Sequence, residues 1–215
     1  GDGLSMRLPH QWNSDDPATS GGFRYYTDDR IYIVYQIDAY LFSMIDVERN
    51  LAFLWASDVS KIPYYVNGAP IHSIFHYWFR KHKQQIVHAA SVGTKDGAVL
   101  IVGKGRSGKS TSALACLNAG MYYLGDDYTL ISNDSNPLVY SLYCSGKVNV
   151  EDMDRCPQLQ ARVGNDQLII DQKTLYFLGD MFPLQFISHL PIKAVLLPVI
   201  SGIPNSQLSK TSAAA

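Results

Sequence analysis

The sequence predicts an α/β fold in which a mixed sheet carries a glycine-rich loop and a smaller β-rich part precedes it. Three observations predict this. The first is Gly103-Lys104-Gly105-Arg106-Ser107-Gly108-Lys109-Ser110, a G-x-x-x-x-G-K-S run whose spacing lets backbone N–H groups wrap a phosphate. By average composition a chance match in a chain this long is roughly a one-in-a-hundred event. The second is what flanks the run. Ala98, Val99, Leu100, Ile101 and Val102 form an apolar, β-branched stretch that reads as a buried strand, and residues 111–119 are rich in helix formers and stop at Gly120. The third is a set of aromatic and β-branched stretches between residues 23 and 55, separated by short polar stretches.

Taken in order, residues 1–22 are polar and rich in Gly, Pro, Ser and Asp, a loose lead-in. Residues 30–35, 39–44 and 51–55 read as antiparallel strands. Pro70 opens a helix in which Ile71, Ile74, Phe75, Trp78 and Phe79 share a face up to Arg80. Residues 84–92 read as one strand, and a turn through Thr94-Lys95-Asp96-Gly97 leads into the strand before the loop. After the loop helix, residues 121–124 make a strand that ends at Gly125-Asp126-Asp127. Residues 128–132 and 138–143 flank an Asn133-Asp134-Ser135-Asn136-Pro137 turn. Residues 145–166 are polar and carry no clear pattern. Residues 168–170, 175–177 and 194–200 supply later strands, and residues 208–215 resemble the start of a helix. The division that follows is a β-rich subdomain with a helix at 1–83 and a loop-bearing core at 84–215.

Composition narrows the class. Of 215 residues 47% are hydrophobic and 17% charged, enough for a sizeable core and without a disorder signature. The formal net charge of −1 gives no electrostatic reason to expect nucleic acid or an anionic membrane as partner. No apolar run reaches membrane-spanning length, and no secretory signal is seen. Cys116, Cys144 and Cys156 are too few and too scattered for a disulfide framework, so the expected location is cytoplasmic.

The loop specifies chemistry. Gly103, Gly105 and Gly108 let the backbone approach a ligand, with Arg106, Ser107 and Thr111 completing the cradle. Lys109 reaches the β/γ-phosphates of a nucleotide and Ser110 is placed to ligate Mg²⁺. Phosphoryl transfer also needs a second metal contact and a group that takes the proton of the attacking hydroxyl. Asp126 and Asp127, one helix and one strand beyond the loop, can supply both, one as base and one as metal ligand.

Val87-His88-Ala89-Ala90-Ser91-Val92, the loop with its strand, and Leu124-Gly125-Asp126-Asp127 together resemble HPr kinase/phosphorylase and its relatives. The likeness runs from about residue 84 to 132 and weakens towards 200. It implies a P-loop nucleotide-binding core similar to that of HPr kinase and phosphoenolpyruvate carboxykinase, using ATP and Mg²⁺. Carried over by position, it implies Lys109 and Ser110 at the phosphates and metal, Asp126 as base, and Asp127 in metal binding, with the two aspartates exchangeable. It implies that His88 sits near the pair, tuning Asp126 or orienting the acceptor. Lys147 resembles a lysine that recurs downstream in the small members, a transition-state or acceptor contact, with a solvated surface lysine as the alternative. The chain lacks the Arg-Gly segment of bona fide HPr kinases after the Asp-Asp strand, which argues against HPr as substrate. The pattern is closer to compact relatives found with peptide biosynthesis, including kinases of the C-terminal serine of lasso-peptide precursors. The implied acceptor is thus a peptide or small-protein serine; a nucleotide-binding regulator without transferase activity and a small-molecule kinase are the alternatives. The end at Ala215 leaves C-terminal elements of the family unseen, those that shape the acceptor site and a homo-oligomer.

Two further features have plainer readings. Arg80-Lys81-His82-Lys83 is a solvated helix end that complements the dipole. His72 and His76 have the i, i+4 spacing of a metal pair, but without a Glu after His72 or nearby cysteines they read as core or surface histidines.

Overall fold

A computed structural model describes residues 23–37, 39–149, 159, 169–170, 173–202 and 205–211. The expectations for residues 1–22, for Cys156 and Leu168, and for residues 212–215 lie outside the described residues.

The N-terminal stretches form a four-stranded antiparallel meander of β1 (Phe23–Thr27), β2 (Ile31–Gln36), β3 (Leu41–Asp46) and β4 (Leu51–Ala56). Its first turn is closed by Asp28, whose Oδ1 accepts the N–H groups of Arg30 (2.8 Å) and Ile31 (2.5 Å). Arg30 Nε also donates to Asp46 Oδ1 at 3.0 Å, across the β2–β3 hairpin, and this guanidinium holds the Asp46 carboxyl down at about 2.

A short 3₁₀ turn (Val59–Lys61) and α1 (Tyr64–Gly68) lead to α2 (His72–Lys81). The helix starts two residues later than Pro70, because Ile71 turns the chain through φ 49° before it. Its apolar face lies on the meander, where the wholly buried Ile74 meets Val34 and Ile45. Ile74→Ala is expected to destabilise the protein by about 2–4 kcal/mol, read from urea unfolding, because the cavity it leaves is walled by two strands that cannot collapse onto it.

The larger part contains β5 (Gln84–Val87), β6 (Ala90–Thr94), β7 (Gly97–Ile101), α3 (Lys109–Asn118), β8 (Tyr122–Gly125), β9 (Thr129–Ser132), β10 (Leu138–Tyr140), β11 (Ser145–Asn149), β12 (Ile169–Ile170), β13 (Lys173–Phe177) and β14 (His189–Leu196). A seven-stranded sheet runs β5-β9-β10-β14-β7-β6-β8, and a three-stranded one runs β11-β13-β12. β14 joins β7 in parallel and the other ladders are antiparallel, so the sheet is mixed and the fold a strand-rich α/β. Ala113, Leu114 and Leu117 of α3 pack on Ala90, Val92, Ile101 and Tyr123 of the large sheet and on Val148 and Tyr176 of the small one. The helix is therefore held between two sheets, and its N-terminus is fixed in direction.

Three expectations are corrected. The strand placed at 194–200 is β14, which begins at His189 and stops at Leu196, opposite Ile101; β7 ends there and offers no further partner. Residues 145–149, which carried no pattern, form β11 because β13 pairs with them along their whole length. Residues 208–211 have no regular structure, and Leu208 is exposed; a helix of one turn without a packing face does not offset its nucleation.

Candidate functional site

The strand expected over 84–92 is broken at His88 and Ala89, and the break is the site. Val87 pairs with Thr129 in the β5–β9 ladder, and Ser91 pairs with Gly125 in the β6–β8 ladder. The Ser91–Gly125 pair keeps the β5–β9 register before a bulge between Ser91 and Val92 shifts the rest of β6–β8; continued across the gap, that register sets His88 opposite Tyr128 and Ala89 opposite Asp127. One long antiparallel ribbon thus loses its pairing where His88 and the aspartates sit. Each side of the gap makes a three-residue turn, with Ala89 N–H donating to the Val87 carbonyl (3.0 Å) and Tyr128 N–H donating to the Asp126 carbonyl (2.8 Å). Asp127, at the apex of the second, is at φ 65°, a conformation disfavoured outside glycine. Beneath the gap Thr129 Oγ1 donates to the Ala89 carbonyl (2.9 Å) and lies 3.3 Å from Ser91 Oγ, which ties the two sides together. Interruptions of this kind re-aim side chains that a regular ladder would send to alternate faces.

The glycine-rich loop joins β7 to α3. Gly103 is at φ 151°, and a Cβ there would lie 2.8 Å from Ser107 Oγ; Gly108 caps α3 at φ 93°. Nothing lies within 4 Å of a Cβ built on Gly105 or Gly108, so both positions border open space. Lys109 is only 6% exposed and staples the loop: its Nζ donates to the carbonyls of Gly103 (2.9 Å) and Lys104 (3.0 Å). An ammonium has three donors, which leaves one for a ligand. Arg106 stands exposed at the tip with φ 65°, and Thr111 lies in the first turn of α3. The free N–H groups of that turn and the helix dipole favour an anion here.

The loop and the acid pair meet directly. Ser110 Oγ donates to Asp126 Oδ1 (3.0 Å), which also accepts the Asp127 N–H (3.0 Å). Asp126 is buried, and that burial, with the neighbouring charge of Asp127, pushes its carboxyl up to about 6; the Ser110 hydroxyl and the backbone N–H groups of Lys147 and Asp127 offset part of the rise. Asp126 Oδ2 and Ser107 Oγ are the buried side-chain oxygens that lack a hydrogen-bond partner among the described residues. Both belong to this site, one under the loop and one in the acid pair, and orphaned buried polar atoms call for a functional account. Asp127 faces the other way: Lys147 Nζ is 2.6 Å from its Oδ2 and His88 Nε2 is 3.5 Å from its Oδ1. His88 is 61% exposed and Lys147 only 13%, so the histidine stands at the mouth and the lysine in the wall.

The residues singled out in the sequence for phosphate, metal and proton chemistry thus lie on the loop, the α3 N-terminus or the ribbon gap, with Lys147 reaching Asp127 from β11. They also fit Mg²⁺ and a polyphosphate. The loop borders open space at Gly105 and Gly108, Ser110 and the carboxylates adjoin it, and Mg²⁺ is held by one or two carboxylates with substrate phosphates rather than by an all-protein cage. No group of three or more metal-binding side chains occurs among the described residues, and the His72 ring stacks on Tyr128. No local pattern marks His72, Tyr128 and Tyr143, whose rings pack together beside Lys147. Only the adjacency of Tyr128 to Asp127 could have drawn notice, since His72 is distant along the chain.

No family model matches this chain, and no curated protein does. Among solved structures, the HPr(Ser) kinase/phosphatase from Coxiella burnetii is similar, with 17% identity and a TM-score of 0.37. The match covers 53% of this chain and 64% of that one. No helix among the described residues is long and apolar enough to cross a membrane.

Proposed function

We propose that this chain is an ATP-dependent kinase that moves the γ-phosphoryl group to a hydroxyl, that of a serine in a peptide or small protein. The observation that carries the reading is the Ser110–Asp126 hydrogen bond, which sets a buried carboxylate, with the half-buried Asp127 beside it, against the N-terminus of a helix opened by a phosphate-type loop. Mg²⁺·ATP, when bound, supplies the phosphoryl group and the metal charge that offsets it. The loop N–H groups and the third Lys109 donor bind the phosphates and stabilise the charge that develops on the transferred group. Asp126 takes the proton of the attacking hydroxyl while that oxygen bonds to the γ-phosphorus and the bridging oxygen to ADP is released. Its orphaned Oδ2 has acceptor capacity to spare, and a carboxyl near 6 is a better base than one in water. Ser110 and Asp127 are the metal contacts, Lys147 steadies Asp127, and His88 orients the acceptor at the mouth.

A second reading exchanges the aspartates: the Ser110 bond makes Asp126 the metal ligand and leaves Asp127, beside His88, as base. Either way the test is the same. Incubation with Mg²⁺·ATP and serine-ended peptides, including lasso-precursor-like ones, should add one phosphate to the peptide by mass. Asp126→Asn and Lys109→Ala should abolish it. ATP binding without transfer to any peptide or small-molecule acceptor would instead mark a nucleotide-binding regulator.

A further inference from the structure

The wall behind Lys147 comes from the other side of the molecule. Tyr128 follows directly on the acid pair, and the Lys147 ammonium lies 6.0 Å from the centroid of its ring. The same ring stacks with His72 in the first turn of α2, at 4.6 Å and 28°, and meets Tyr143 edge-on at 6.3 Å. Burial lowers the proton affinity of His72, with the charges of His76 and Lys147 acting in the same direction. Two hydrogen bonds lock this corner. Tyr143 Oη donates to the Pro70 carbonyl (2.9 Å) and Ser145 Oγ donates to the Gly68 carbonyl (2.5 Å). They bind the start of β11, the strand that carries Lys147, to the connection between α1 and α2.

We propose that Tyr128, held in place by His72, is a positioning residue that keeps Lys147 on Asp127, so that the N-terminal layer reaches the transfer site through α2. The role assigned to Lys147 rests on the kinase reading. The positioning itself does not. An aromatic face attracts an ammonium within about 6 Å of its centroid and removes water from one side of it. With water excluded on that side, the Lys147–Asp127 pair is held more firmly than two solvated side chains would be. Asp127 sits at the apex of its turn with φ 65°, a sparsely populated region, so its side chain is aimed by contacts rather than by strand geometry.

The test compares Tyr128→Phe, which keeps an aromatic face, with Tyr128→Leu, which fills much of the volume without one. Brief acylation by acetic anhydride, followed by peptide mass mapping, reads each lysine separately. An ammonium paired and shielded from solvent reacts slowly. Tyr128→Leu is expected to raise the labelling rate of Lys147 about fivefold. His72→Ala should raise it less, and Tyr128→Phe should match the wild type. Lys109, buried under the loop, should label at the wild-type rate in every variant, which separates a local effect from a loosened fold. Alongside, kcat should fall in Tyr128→Leu with KM for ATP unchanged and be restored in Tyr128→Phe. Wild-type labelling of Lys147 in Tyr128→Leu, or a parallel rise at Lys109, would overturn the proposal. Failure of the wild type to transfer phosphate to any acceptor would sink the kinase reading and leave the labelling result intact.

Discussion

Asp126→Asn is expected to lower kcat by about 10²–10⁴-fold while making the protein more stable at pH 8. The first effect follows from the proposed role of Asp126 as the base that receives the hydroxyl proton. The second follows from the burial that makes the group a base. The Asp126 carboxyl is pushed up from its ordinary 3.8 to about 6 by burial and by the charge of Asp127. A carboxyl raised in the folded state favours folding while it is protonated. That contribution is fully present below the unfolded value and is lost as pH rises through the folded one. Wild type should therefore lose on the order of 2 kcal/mol relative to Asp126→Asn between about pH 4 and pH 7. Urea unfolding of both proteins at pH 4 and pH 8 measures the difference. The activity arm reads the same group: kcat/KM of the wild type should climb through about pH 6 as Asp126 loses its proton. If a residual rate in Asp126→Asn kept that limb, Asp127 would become the base, as the second reading has it. Equal stability of the two proteins at pH 8 would mean that the buried carboxylate finds a partner in solution.

Lys109→Ala should cost about 10³-fold in kcat/KM and remove the thermal stabilisation by Mg²⁺·ATP. Two separate losses combine. The variant lacks the donor proposed to meet the phosphates, and it also lacks the staple from Nζ to the carbonyls of Gly103 and Lys104, so the loop no longer holds its shape before the ligand arrives. Melting curves with and without nucleotide separate these from a folding defect, since the ligand-free melt should change far less than the shift. Lys95→Ala, in the exposed turn between β6 and β7, should keep the full shift. A nucleotide shift preserved in Lys109→Ala would mean that the loop binds phosphate through backbone N–H groups alone.

Local signals in the chain carried much of the fold. The loop, its entering strand and the helix after it are written in a contiguous run of glycines, β-branched residues and helix formers, and each needs only its neighbours in sequence to form. The meander was visible for the same reason, because alternating aromatic and β-branched stretches with short turns are local patterns. β11 was invisible: Ser145, Gly146 and Asn149 have little strand preference, and the segment is a strand because β13 lies beside it. The bounds of β14 were misplaced because they are set by where β7 and β10 offer partners, not by its own apolar run.

The site divides along the same line. The sequence by itself determined the chemical parts: a glycine loop with Lys109 and Ser110, an acid pair one strand later, a histidine on the strand before, and no charge excess that would direct the chain to nucleic acid. These are statements about residue type and short spacing, which the covalent chain fixes. Tertiary structure decided how the parts face each other. Strand pairing on either side of one gap put His88 and Asp127 there together; burial raised Asp126; Ser110 turned to Asp126 and Lys147 to Asp127; and His72, more than fifty residues from Asp127 in the chain, came to lie behind Tyr128. Register, desolvation and long-range packing depend on partners that are distant along the chain, and no local pattern encodes them.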